Sequence, residues 1–263
     1  MGDPASGIDK GALLARVQQL YRSVAERPHE RLHFETGRGL AERLGYPGAL
    51  LDAVPAGAVE SFAGVGYVFH LAGLAAGESV LDLGSGSGMD SFIAGVQVGD
   101  RGRVVGVDVT DAQREKATRL AAEQGVAHVR FEAGNIQELP FEAEVFDAVI
   151  SNGVINLAPD KDAVFREAAR VLRPGGRLAI ADIVTEAPLT QAIVADVDLW
   201  ASCIGGAPQQ DGYEAAITRA GLHVERTTLN RYEFLSDQAR AASRRFGVRS
   251  VSVRARKPLV HGS

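Results

Sequence analysis

Val80-Leu81-Asp82-Leu83-Gly84-Ser85-Gly86-Ser87-Gly88 is the stretch that decides how this chain folds. A short apolar strand runs directly into a turn with glycine at every second position. Glycine lets the backbone turn sharply and approach a ligand closely. MDSFIAGVQV, from Met89, reads as a helix, and RVVGVDV, from Arg103, as a second strand carrying Asp108 at its end. Strand, glycine turn, helix, strand and acid in that order open an α/β unit whose ligand lies at the carboxyl edge of the sheet. The spacing is G-x-G-x-G and not the dinucleotide G-x-G-x-x-G. Asp82, just ahead of it, repels a pyrophosphate but suits a ligand with a positively charged amino-acid end. This disfavours a nicotinamide-dependent oxidoreductase. Asp108 is placed to accept both hydroxyls of an adenosine ribose.

Outward from this stretch the periodicity stays regular. DAQREKATRLAAEQ is an amphipathic helix, VRFEAG and VFDAVISN are strands, KDAVFREAARVL is a helix and GRLAIADIV a strand. Strands alternating with helices at this spacing mean βαβ units and a parallel sheet. Further on, helices are expected around 189–202, 210–220 and 237–246, with strands HVERTTLN and VRSVSVRAR. Upstream, 10–26 has apolar residues at helical spacing (Leu13, Leu14, Val17, Leu20, Tyr21, Val24). From 28 to 77 the chain reads as irregular and glycine-broken, with one helix near 39–44. The expected organisation is an N-terminal helical extension or lid over 1–77, one doubly wound domain over 78–257 with an insertion near 187–210, and a tail at 258–263. Asn135 and Ile136, after the third strand, offer an amide and an apolar face to an adenine edge. Ser151 and Asn152 bring the fourth strand to the same rim.

Composition bounds the function. The 263 residues hold 28 Lys+Arg against 33 Asp+Glu, a net charge of −5, which argues against nucleic acid as the main partner. A 46% hydrophobic and 23% charged makeup excludes a largely disordered chain. The single cysteine, Cys203, excludes an internal disulfide or a cysteine-cluster metal site, and no metal is expected. The longest uncharged run, Ser61 to Gly77, is broken by four glycines, so no membrane span is expected. No basic segment precedes an apolar stretch at the N-terminus, and a cytoplasmic location is expected.

Together these elements resemble the class I S-adenosylmethionine-dependent methyltransferases over about 78–182. The resemblance implies a Rossmann-like, mostly parallel seven-stranded sheet with helices on both faces, and S-adenosylmethionine as cofactor across its switch point. It places Asp82, Gly84, Ser85, Gly86, Asp108, Val109, Asn135, Ile136, Ser151 and Asn152 around the cofactor. The runs Ser151-Asn152-Gly153-Val154-Ile155-Asn156-Leu157-Ala158-Pro159-Asp160-Lys161 and Cys203-Ile204-Gly205-Gly206-Ala207 are similar to the arsenite methyltransferase family more narrowly. That family implies three cysteines holding trivalent arsenic. Here the corresponding positions read Val65, Gly153 and Cys203, so one thiol remains of three. Arsenic(III) is soft and is selected by thiolates; valine and glycine supply no ligand atom.

The reading is therefore a methyltransferase acting on a small-molecule acceptor by in-line transfer. Arsenite methylation assisted by external thiols is one alternative, and a non-catalytic protein that binds S-adenosylmethionine is another. Methyl transfer from a sulfonium asks the protein mainly for proximity and alignment. Candidate catalytic residues are His33, in a segment able to cover the site, Asn156, able to orient the acceptor, and Cys203. His70, in an apolar run, is expected to be packed, and Trp200 to be core. The basic residues of 240–257 are expected to form a solvated face.

Overall fold

A computed structural model describes residues 8–30, 34–201, 203–235 and 237–259. The chain begins with helix α1 (Lys10–Glu26), followed by short helices α2 (Arg38–Leu44), α3 (Gly48–Asp52), α4 (Ala56–Glu60) and α5 (Phe69–Ala72). Then come β1 (Ser79–Leu83), α6 (Met89–Val98), β2 (Arg103–Asp108), α7 (Asp111–Glu123), β3 (Val129–Ala133) and β4 (Phe146–Asn152). A single 3-10 turn (Ile155–Leu157) leads into α8 (Lys161–Val171) and β5 (Leu172–Val184). Helices α9 (Gln191–Val194), α10 (Val197–Ala201) and α11 (Gln210–Arg219) precede β6 (His223–Leu229), α12 (Asp237–Phe246) and β7 (Arg249–Arg256).

The strands form one seven-stranded sheet in the order β3-β2-β1-β4-β5-β7-β6. All neighbours pair in parallel except β7, which is antiparallel to both β5 and β6. The order reverses between β1 and β4, so the loops after β1 and β4 open a crevice at their carboxyl ends, where α/β sheets bind ligands.

Side chains alternate across the sheet and both faces are covered. Val80, Ala148, Ile150, Ala179 and Ala181 point into one core with residues of α5, α6, α7 and α12. Leu81, Leu83, Val149, Leu178 and Ile180 point into the other, with α8 and α11. That two-sided burial is why the strands read as continuous apolar runs and not as alternating ones.

Three expectations change. The 28–77 segment holds four short helices, α2 to α5, and not one. Pro47 and Pro55 sit at the N-caps of α3 and α4, and helices of four or five residues are too short to display a period. The helix expected over 189–202 is two pieces: the Asp196 carboxylate accepts from the backbone N–H groups of Asp198 (2.9 Å) and Leu199 (3.0 Å), starting a new helix there. Strand β5 begins at Leu172 and runs through the Pro174-Gly175-Gly176 turn, because Leu172 pairs with Phe146 and Gly175 N–H donates to Lys257 C=O at 2.9 Å.

Candidate active site

The crevice at the switch point is a cavity of about 590 Å³, within the range of small-molecule sites. Its floor is the β1–α6 turn. Gly84, Gly86 and Gly88 have φ of +69°, +53° and +92°, conformations that side chains with a Cβ rarely adopt. At Gly84 a Cβ would also collide with the Val154 side chain. The backbone N–H groups of Gly84 and Ser85 both donate to Val107 C=O, at 2.8 and 3.0 Å, which folds the turn back over β2.

Asp108 ties the two strand ends together. Its Oδ2 accepts from Gly86 N–H at 3.0 Å and its Oδ1 from Thr110 N–H at 2.7 Å. Burial raises its pKa, opposed by those same hydrogen bonds. The half-buried carboxylate lines the cavity, where its oxygens have acceptor capacity beyond the two backbone bonds.

Beside the turn lies a second acidic group. Asp82 and Asp90 are 2% and 6% exposed. Burial first, then the Asp90 charge, pushes the Asp82 carboxyl up to about 8; the Ser91 hydroxyl, donating at 2.6 Å, opposes this. Burial pushes Asp90 up to about 6, against hydrogen bonds from the Tyr46 hydroxyl (2.6 Å) and the Asn152 amide (2.9 Å). The charges acting on Asp82 are Asp90 and Asp108, all of one sign. Two buried acids raised in this way call for a cation, and both line the cavity.

The expected cofactor residues divide into those that face the cavity and one that does not. Asp82, Gly84, Ser85, Gly86, Asp108, Val109, Asn135, Ile136 and Asn152 line it. Asn135 is exposed and its Oδ1 already accepts from Gln137 N–H at 3.0 Å, leaving its NH₂ free to donate. Asn152 is fully engaged: its Oδ1 accepts from the N–H groups of Val65 (2.7 Å) and Gly66 (3.2 Å), while its amide donates to Tyr46, Gly66 and Asp90. It shapes the wall. Ser151 is absent from the lining; it points between strands and donates to Leu83 C=O at 2.9 Å.

The catalytic candidates fare differently. His33 lies outside the described residues. Asn156 is buried behind the cavity: its N–H donates to Asp182 Oδ2 (2.8 Å) and its amide to Cys203 C=O (2.9 Å), so it holds backbone rather than acceptor. Cys203 has φ of +64°, and its thiol donates to Gly153 C=O at 3.6 Å. Burial first, then the Asp182 charge, pushes that thiol up to about 12. His70 is exposed and stacked on Tyr67, not packed in the core. Trp200 is core at 1% exposure, as expected.

The three positions that the arsenite methyltransferase resemblance would give to cysteines do converge. A Cβ built on Gly153 would lie 3.4 Å from Val65 Cγ1, and Cys203 Sγ approaches Gly153 C=O. Gly153 lines the cavity, Val65 and Cys203 do not, and Cys203 supplies the one sulfur of the three. Two contributors had gone unread: Asp90, whose place in the first turn of α6 looks like an ordinary partner for the helix dipole, and the α1 face carrying Leu13, Val17 and Tyr21 into the cavity.

Comparison with known proteins gives this geometry a family. A methyltransferase-domain family model matches residues 74–221. An arsenite methyltransferase of Halobacterium salinarum is 41% identical over 228 residues, covering 85% of this chain and 58% of that protein. A 27-O-demethylrifamycin SV methyltransferase of Amycolatopsis mediterranei is 33% identical over 156 residues, 58% of this chain and 56% of that one. This chain thus spans little more than half the length of these curated relatives. Among solved structures, an arsenic(III) S-adenosylmethionine methyltransferase from Chlamydomonas reinhardtii superimposes with a TM-score of 0.68 at 32% identity, over 81% of this chain and 73% of that one. The chain belongs to the methyltransferase-domain family.

Proposed function

We propose that this protein binds S-adenosylmethionine in the switch-point cavity and transfers its methyl group to a small-molecule acceptor other than arsenite held by three protein thiolates. The observation that carries the reading is the pairing of two acidic features in one cavity: Asp108 across the glycine turn, and the buried Asp82–Asp90 pair, whose carboxyls no cation among the described residues lowers. The residues present fit this cofactor. Asp108 would take the ribose hydroxyls, Ile136 and the Asn135 amide the adenine, and the Asp82–Asp90 pair the cationic methionine end. Gly86, where a Cβ would meet nothing nearer than Gln113 Oε1 at 3.7 Å, leaves open space, and the unpartnered buried Ser85 hydroxyl leaves a hydrogen-bond group beside it.

S-adenosylmethionine, when bound, supplies a methyl group already activated on a sulfonium. The chain's own task is alignment and exclusion of water. Asn152 holds the Val65–Gly66 backbone and Asp90 in one network, and helix α1 covers the cavity. We assign 1–77 the part of a lid and 78–257 that of the transferase domain, since α1 is tied across the cavity by Gln18 to Val109 C=O (3.0 Å) and by Gln113 to the Tyr21 C=O (2.8 Å). Neither Asn156 nor Cys203 is assigned acid–base chemistry.

Isothermal titration with S-adenosylmethionine tests the cofactor site. Asp108→Ala should weaken binding by roughly ten- to a hundredfold, the worth of hydrogen bonds to a charged group; unchanged affinity would sink this placement. Arsenite methylation with external thiols is the second reading, favoured by the convergence of positions 65, 153 and 203. It requires methylated arsenic from purified protein plus glutathione, lost in Cys203→Ala.

A further inference from the structure

One side of the cavity has no part in the cofactor assignment. Helix α1 presents Leu13, Val17 and Tyr21 to it at four-residue spacing, with Leu14 beside them at the mouth. Leu14 is 46% exposed although it lines a cavity. Phe62 and Leu157 also line it, and Leu157 packs with Leu13, Val17 and Tyr21 in one apolar cluster. Lys10 and Asp160, both exposed, are the charged side chains there, and among the described residues Lys10 is the one basic group of the lining. A charged molecule drawn between these walls loses its water and meets counter-charges only on exposed side chains, where water screens them.

The polar feature on this side is the Tyr21 hydroxyl, 4.0 Å from Cys203 Sγ. Burial raises the Tyr21 hydroxyl well above its ordinary range, and the thiol is raised as well. Both keep their protons at neutral pH and offer hydrogen-bond donors, not bases.

We infer that the α1-lined chamber takes the methyl acceptor, that this acceptor is an uncharged, mainly apolar molecule with one lone-pair-bearing heteroatom, and that the Tyr21 hydroxyl orients that heteroatom. The inference rests on the methyl-transfer reading above and names its substrate class. The acceptor brings its own nucleophile, since the one carboxylate on this side, Asp160, is exposed and caps α8 by accepting from Ala163 N–H at 2.8 Å.

Fluorescence titrations with 2-naphthol, naphthalene and 2-naphthoate at pH 7, with and without saturating S-adenosylhomocysteine, test it. The 2-naphthol probe should bind roughly three- to tenfold more tightly than naphthalene, the worth of one neutral hydrogen bond. 2-Naphthoate should bind at least about tenfold more weakly than 2-naphthol. Tyr21→Phe should erase the advantage of 2-naphthol while leaving naphthalene unchanged. Leu14→Asp, at an exposed position that folding tolerates, should weaken both neutral probes. Equal binding of naphthoate, an advantage that survives Tyr21→Phe, or a Leu14→Asp variant that binds as before overturns the inference. Calorimetry with S-adenosylhomocysteine on the same preparations separates the two readings: its failure overturns the cofactor assignment, while the probe titrations without it still judge the chamber.

Discussion

Replacing Asp82 by Asn should stabilise the ligand-free protein and do so increasingly as pH rises. Asp82 is 2% exposed, and its carboxyl is pushed up to about 8 by burial and then by Asp90. In the unfolded chain the group titrates near about 3.9. A group whose pKa is raised by folding contributes fully below the unfolded value, and that contribution is lost as pH climbs to the folded one. The window therefore runs from about pH 4 to about pH 8, at about 1.4 kcal/mol per unit. By pH 7 the folded state has lost about 4 kcal/mol to this one carboxylate. An amide has no such term, and it can still accept the Ser91 hydroxyl that donates to Asp82 Oδ2 at 2.6 Å. Asp90 titrates in both proteins, and losing its like-charged neighbour in the variant eases its ionisation, which adds to the same trend. Urea melts of the two at pH 5 and pH 8 should show the advantage of Asp82→Asn growing by about 3 to 4 kcal/mol. A difference that stays constant with pH, or a variant less stable than the parent at pH 8, refutes the reasoning. Saturating S-adenosylmethionine should narrow or reverse the ranking at pH 7, because a cation bound to the ionised pair stabilises the parent alone.

Further expectations follow from other parts of the molecule. Gly84→Ala forces a Cβ into left-handed backbone and against the stiff Val154 side chain, and should lower stability by about 2 to 4 kcal/mol in a denaturant melt. The Cys203 thiol, pushed up to about 12, should react with a disulfide reagent at pH 8 at least about a hundredfold more slowly than a free thiol, and at the normal rate once urea unfolds the chain. Arg177 is 7% exposed, donating to Glu78 Oε2 at 2.6 Å and to Gly73 C=O at 2.9 Å. Arg177→Ala strips these partners and should cost about 3 to 5 kcal/mol, read as a fall in melting temperature.

How much of this was legible beforehand depends on range. The strands β1, β2 and β4, the glycine turn and Asp108 sit within a few residues of where local pattern puts them, because apolar runs and glycine spacing are short-range signals. Ser151 was misread for a related reason: it shares the carboxyl end of β4 with Asn152, but successive residues of a strand face opposite ways, so one faces Leu83 C=O and the other the cavity. Asn156 carries the chemistry of an orienting amide, yet its partners are the Asp182 carboxylate and the Cys203 carbonyl, which no spacing in the chain reveals. The break at Asp196 was hidden because a carboxylate inside an amphipathic run reads equally as a surface residue.

The sequence by itself determined the α/β architecture and the switch-point crevice, since each follows from residue type and near-neighbour spacing. Only the tertiary structure decided what faces the cavity. It joined Asp90 to Tyr46 across 44 residues and Tyr21 to Cys203 across 182, and it turned a plain amphipathic helix into one wall of a chamber. Helical period states that α1 has an apolar face; which surface that face covers is set by the packing of distant segments.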